Sequence, residues 1–214
     1  MFIQRRSNIH QGRYKMLHAI SQQRTTMPLS MLSDVHSLRY KVFHQRLNWQ
    51  VPVNGELEVD EYDELDPTFI VSQGECGDVV GCMRLLKTTG PYMLADTFPQ
   101  LLGGKAAPRD KNILEISRFA TMNAQLQHNT KGISEITYSL LQKAYLHAVN
   151  EGVDAYVMVT TTAIERYLRR MGITTERLAD SQDIGGVNSV ALYLHIDQRF
   201  QAAVFRPSTP TLLH

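Results

Sequence analysis

With 214 residues, 43% of them hydrophobic and 20% charged, the chain can bury a sizeable core, which excludes a disordered protein. Twenty-two Lys and Arg against 21 Asp and Glu leave a net charge of +1, so there is no electrostatic case for nucleic acid or a membrane surface as a partner. No apolar run approaches the roughly 20 residues of a membrane span.

Residues 1–15 carry Arg5, Arg6 and Arg13 without the apolar stretch of a signal peptide, and read as a disordered extension with Met16 as an alternative start. Cys76 and Cys82 make no disulfide framework, so the reading is a cytoplasmic protein with reduced thiols. A single domain is expected over 16–205, followed by a loose Pro- and Thr-rich tail, 206–214.

Met16 to Ile20 reads as a first short strand. Between Leu29 and Phe43 the residues Leu32, Val35, Leu38, Val42 and Phe43 recur at helical spacing, with Arg39 among them. Asn48, Trp49 and Pro52 close that helix and open an acidic loop to Pro67. An acidic run is ordinarily a solvated face, but Asp60 and Asp63 stand just before a strand and can be aimed at a cleft. Thr68–Gln73 and Val79–Leu86 form a hairpin around a Gly-rich turn, with Arg84 in its second strand.

Prolines and glycines from Thr88 to Asp110 predict irregular structure over most of that span. Residues 112–120 then alternate as a half-buried strand, yet they carry Glu115, Ser117 and Arg118. Such groups cost several kcal/mol (about 2–7 for a neutral polar group) to bury without partners, so other segments or a polar ligand must meet them. A polar loop over 121–131 leads through Gly132 to a helix from Ser134 to Asn150. Next come a buried strand, Ala155–Val159, a helix to Met171 stopped by Gly172, and an alternating strand, Ser189–Ile196. This order predicts an α/β fold, a single-domain mixed sheet flanked by helices like that of the N-acyltransferases of the acetyltransferase (GNAT) type.

Several chemistries are absent. There is no G-x-S-x-G elbow, no Walker loop and no G-x-G-x-x-G after the first strand. The histidines and cysteines lack metal-ligand spacing, so no metal is expected. The glycine-rich turn with which simple acetyltransferases cradle coenzyme A is also missing from the residues after the central strand.

Arg39, Phe43, Trp49, Asp60, Asp63, Arg84, Glu115 and Arg118, taken in order, closely resemble the acyl-homoserine-lactone synthases, the LuxI-type autoinducer synthases. The spans Gly81–Leu85, Thr88–Leu94 and Leu114–Phe119 carry most of the likeness, which runs from about Met16 to Phe205. The resemblance implies an enzyme without a prosthetic group that uses S-adenosylmethionine as co-substrate. An acyl chain would arrive on acyl carrier protein, or on coenzyme A as in some members, and the product would be a quorum-sensing lactone.

On that reading Glu115 and Arg118 are catalytic, and Glu115 deprotonates the substrate amine. Arg39, Arg84 and Arg118 with Asp60 and Asp63 form a charge network that orients S-adenosylmethionine. Trp49 faces its sulfonium or adenine, Phe43 packs beneath, and Phe119 closes the aromatic side. Each has a plainer rival: an ion pair for Glu115, core packing for the rings. Met93, Leu140, Leu141, Met158 and Ile164 are expected to line the acyl pocket.

By family likeness Thr160 goes with a 3-oxo acyl group, while its rival role is a helix N-cap. Arg166 and Arg170, one helical turn apart, resemble the family's docking positions for the acidic carrier protein. Two alternatives stay open: an acyl-coenzyme A-dependent N-acyltransferase on another amine, and a sensor domain that binds without turnover.

Overall fold

The computed structural model describes residues 18–122 and 135–205. The expected extension 1–15, the start at Met16, most of the loop 121–131 with Gly132, and the tail 206–214 lie outside them.

Strand β1 (His18–Gln23) is followed by helix α1 (Leu29–Arg39), which continues in wider, π-type turns through Tyr40–Arg46. Two short strands, β2 (Val53–Asn54) and β3 (Leu57–Glu58), and a 3-10 turn, Glu61–Leu65, order the acidic loop. Strands β4 (Thr68–Gln73) and β5 (Val79–Lys87) form the expected hairpin. The span read as irregular holds a short helix, α2 (Met93–Asp96), and a 3-10 turn, Pro99–Leu102. Strand β6 (Ile113–Thr121), helix α3 (Glu135–Glu151), strand β7 (Ala155–Thr161) and helix α4 (Thr162–Met171) follow as the periodicity predicted. Strands β8 (Thr175–Arg177), β9 (Gln182–Ile184) and β10 (Val187–His195) and helix α5 (Gln198–Val204) complete the order. Of these, β8, β9 and α5 went unpredicted because they are too short to show a period.

One sheet runs β1-β4-β5-β6-β7-β10-β8, with β9 paired to β10. Its neighbours are antiparallel except β6 and β7, which run parallel. Side chains alternate across it. Met83, Leu85, Ile116, Met158 and Leu192 face α3 and α5 in the largest core cluster. Val35, Phe43, Phe69, Val71, Cys82 and Ala120 pack on the opposite face with α1. Close approach of α3 needs Gly81, where a Cβ would stand 2.4 Å from the Ile136 side chain.

Two irregularities position the site. Opposite Cys82–Arg84, β6 carries one extra residue, a bulge, and Arg118 there has φ +52°. Strands β6 and β7 pair only from Ile113↔Ala155 to Ile116↔Met158, although β6 continues to Thr121 and β7 to Thr161. The sheet therefore parts immediately beyond Ile116, beside the bulge.

Candidate active site

Strict alternation would put Ser117 and Arg118 on opposite faces of the sheet. The bulge cancels that rule. Arg118 turns to the face of Glu115 and Ser117, and Phe119 is sent to the α3 face, where it packs on the large core cluster. The expectation that Phe119 closes the aromatic side with Phe43 and Trp49 is thereby corrected. A bulge needs a backbone conformation that the apolar–polar pattern does not encode.

The unpaired charge finds its partners within one cluster of three guanidinium groups and three carboxylates. Arg39 binds Asp63 in bidentate fashion, at 2.8 and 3.0 Å, and its Nε donates to Glu58. Arg84 reaches Asp60 with both terminal nitrogens, Asp63 at 2.7 Å and the Ser117 hydroxyl at 3.1 Å. Arg118 donates to Glu58 at 3.0 Å and lies 2.7 Å from Asp60.

The fully buried Arg39, Arg84, Glu58 and Asp63 could not be tolerated singly; charge balance and bidentate geometry make the cluster viable. Arg118, with its side chain 12% exposed, is the guanidinium that reaches the surface. The carboxylates also fold their own loop: Asp60 accepts the Tyr62 N–H, and Asp63 accepts the Asp60 N–H. Burial pushes the Asp63 carboxyl upward, but the hydrogen bonds and charge of Arg39, with Arg84, outweigh it and hold the group below the usual range.

Glu58 was not singled out in the sequence. It stood in an acidic run that reads as solvated, and nothing in its spacing separates it from Glu56 or Glu61. It bridges Arg39 to Arg118, and His36 lies with Nδ1 2.9 Å from its carbonyl oxygen.

Glu115 departs from expectation. Its oxygens accept the backbone N–H groups of Met93 (2.9 Å) and Leu94 (2.7 Å) at the start of α2; neither bonds to an arginine among the described residues. With 1% exposure it is carried up to a pKa of about 7, since burial outweighs the two amides and the more distant Arg84 and Arg118.

Met93 likewise lies away from the other expected acyl-pocket residues. Its sulfur takes N–H donors from both Arg84 and Arg118 at 3.2 Å. Leu140, Leu141 and Met158 sit together on the opposite, α3 face, with Ile164 packed against them. The short α2 turn, docked by Glu115, is what carries Met93 to the charged side.

Phe43 stacks on Trp49 with centroids 5.4 Å apart and planes 13° apart, and the Arg118 guanidinium lies 5.7 Å from the Phe43 centroid. Asn48, at φ +53°, turns the chain back so that the Trp49 N–H donates to the Phe43 carbonyl. Trp49 keeps 40% of its surface exposed.

Thr160 lies in β7, and the N-cap of α4 is Thr161, whose hydroxyl accepts the Ile164 N–H. That disposes of the capping role for Thr160. Arg166 and Arg170 are exposed on α4, whereas Arg169 and Arg177 pair with the buried Glu165.

A sheet parted between two parallel strands, with charged groups beside the gap, defines an N-acyltransferase type of fold. A putative N-acetyltransferase from Lactobacillus plantarum shares it, with TM-score 0.56 at 16% identity over 86% of this chain and all of that one. The autoinducer synthase family model matches residues 23–204, and the chain belongs to that family. An acyl-homoserine-lactone synthase of Aliivibrio fischeri is 43% identical over 180 residues, 83% of this chain and 93% of the relative. The crystal structure of the acyl-homoserine-lactone synthase LasI superposes with TM-score 0.79 at 36% identity, covering 88% of this chain and 95% of LasI. TofI, in a ternary complex with an inhibitor and MTA, gives 0.76 at 31% identity over 87% and 96%.

Proposed function

We propose that this protein is a cytoplasmic acyl-homoserine-lactone synthase that acylates S-adenosylmethionine from an acyl-carrier thioester. The observation that carries the reading is the convergence of Arg84 and Arg118 on the Met93 sulfur of the α2 turn that Glu115 docks, beside the point where β6 and β7 part. Beyond the carboxylate cluster, Arg84 Nη2 and Arg118 Nη1 converge on the Met93 thioether, a weak acceptor. A substrate carboxylate or carbonyl oxygen is a far better one, and Arg118 is the member that reaches the surface. Trp49, backed by Phe43, offers an exposed ring to a sulfonium or an adenine.

An α-amine with pKa near ~7.7–8.0 is roughly a tenth free base at neutral pH, so a modest base suffices. Glu115, poised near neutrality, receives the amine proton through a relay, because its oxygens keep lone pairs beyond the two amide bonds. The free amine attacks the thioester carbonyl, the C–S bond breaks, and the carrier leaves as a thiol. The methionyl carboxylate then attacks its own γ-carbon, which closes the lactone and expels methylthioadenosine.

The acyl chain lies on the α3 face among Leu140, Leu141, Met158 and Ile164. Thr160, free of the capping role, donates to a 3-oxo group. Arg166 and Arg170 present an exposed basic pair to an acidic carrier protein.

The test is incubation with S-adenosylmethionine and a mixed pool of acyl-carrier and acyl-coenzyme A donors, followed by mass spectrometry. An acyl-homoserine lactone and methylthioadenosine in equal amounts are expected. Acylation of another amine, or binding without turnover, sinks the reading. Thr160→Val should move the product profile toward unsubstituted chains; an unchanged profile removes the 3-oxo assignment.

A further inference from the structure

One buried group takes no part in the chemistry so far. The Tyr167 hydroxyl oxygen is shielded from solvent and has no hydrogen-bond partner among the described residues. A buried hydroxyl left without a partner keeps its full desolvation cost, so proteins seldom keep one without a use. A phenylalanine would fill the same space without that cost.

The location of Tyr167 limits what the use can be. Helix α4 lies on β7 and β10, and Tyr167 packs on the core cluster that contains Leu140 and Met158. Ile164 stands one turn before it and packs on the same cluster. A long side chain in a helix leans toward the N-terminus, here toward Thr161 and the end of β7 that has left β6. Thr160, two residues beyond Met158 on β7, shares the Met158 face of the sheet. Tyr167 and Thr160 therefore approach one apolar region, Tyr167 from the helix and Thr160 from the strand. Burial, with Tyr138 as a lesser neighbour, holds the phenol above its ordinary pKa, so the hydroxyl is a donor at any working pH.

We propose that Tyr167 is a specificity-determining residue, whose hydroxyl donates a hydrogen bond to an oxygen carried on C3 of the acyl chain. The inference rests on the synthase reading above and deepens it. Within an apolar pocket the hydrocarbon part of an acyl chain offers no acceptor. An oxygen on C3 is the polar group that distinguishes one chain from another of equal length. A saturated chain leaves the hydroxyl unpaired, and a 3-oxo chain satisfies it. Discrimination then comes from the buried donor itself.

The test compares wild type with Tyr167→Phe on saturated and 3-oxo acyl carriers of matched length, reading kcat/KM for lactone formation. The variant should lose roughly threefold to tenfold on the 3-oxo donor and nothing on the saturated one. Its melting temperature should equal or exceed that of wild type, because an unsatisfied hydroxyl has been removed. Equal loss on both donors, or no loss on either, overturns the proposal: the hydroxyl then serves packing or a bound water. Failure of wild type to make lactone from any donor overturns the synthase reading and this inference with it. The two failures are told apart by the wild-type reaction alone.

Discussion

The carboxylate of Glu115 accepts the backbone N–H of Leu94 at 2.7 Å, with Met93 beside it at 2.9 Å, so the acid on β6 and the helical turn of α2 form one unit. The same α2 turn carries the Met93 sulfur to Arg84 and Arg118. An acid whose pKa is raised to about 7 is thereby tied, through Met93, to the two guanidinium groups that we propose meet the substrate.

The first prediction concerns pH. Glu115 is raised from the usual 4.5 to about 7, so between those values the native state holds a proton that the unfolded chain has released. Its contribution to stability is full below about 4.5 and is lost as pH rises through about 7, on the order of 3 kcal/mol in all. Urea unfolding of wild type should show this decline between pH 5 and 7.5. Glu115→Gln should flatten it, and should also remove the ascending limb near pH 7 from the kcat/KM profile. A Gln variant that keeps both slopes would refute the assignment.

The second concerns the charge cluster. Asp63 accepts from Arg39, Arg84 and the Asp60 amide, and its depressed pKa stabilises the fold above the usual carboxylate range. That stability disappears as pH falls below about 4. Asp63→Asn leaves buried guanidinium charge uncompensated and should cost about 3–5 kcal/mol. Glu58→Gln should cost a similar amount, because it takes a carboxylate partner from both Arg39 and Arg118 and leaves the buried cluster with one positive charge in excess. Activity loss alone would not separate folding from binding. Circular dichroism and S-adenosylmethionine titration on the same samples will do so, and a folded Asp63→Asn with unchanged affinity would end the orienting role.

The sequence announced the problem these residues solve but not the whole solution. Alternation located β6 and made Glu115 and Arg118 anomalous, and helical spacing placed Arg39 on α1. The bulge was invisible, because φ +52° at an arginine has no signature of the kind glycine provides. It sends Phe119 to the α3 face, where simple alternation does not place it. Glu58 was hidden for a different reason. Whether an acid in an acidic loop is solvated or buried depends on which strand the loop folds against, and that is a long-range fact. Met93 illustrates the same limit, since an apolar residue two positions after Pro91 gives no hint that two arginines will meet its sulfur.

A third prediction separates the aromatic pair. Trp49 is 40% exposed, so Trp49→Ala should change stability little while raising KM for S-adenosylmethionine roughly twofold to thirtyfold, the range of a cation–ring contact. Phe43 is buried, and Phe43→Ala should cost about 3–5 kcal/mol of stability as well. Equal destabilisation by the two substitutions would show that Trp49 is only packing.

The last prediction concerns the carrier. On α4 the buried Glu165 draws Arg169, at 2.8 Å, and Arg177, at 2.6 Å, into ion pairs. Arg166, whose charge Glu165 feels without an ion pair, and Arg170 are in none of the ion pairs formed by Glu165, and both are exposed. An acidic partner approaching this helix therefore meets those two charges first, and steering by exposed charge is strong at low salt and screened within about 8 Å at physiological ionic strength. Arg166→Glu with Arg170→Glu should raise KM for the carrier-bound donor on the order of tenfold at low salt, leave KM for S-adenosylmethionine in place, and flatten the salt dependence. Arg169→Gln serves as the comparison. Its partner Glu165 keeps Arg177, and the surface charge that faces a carrier is unaltered at Arg166 and Arg170, so its KM should stay near that of wild type. A double reversal whose carrier KM and salt slope match wild type would place the docking surface elsewhere on the molecule.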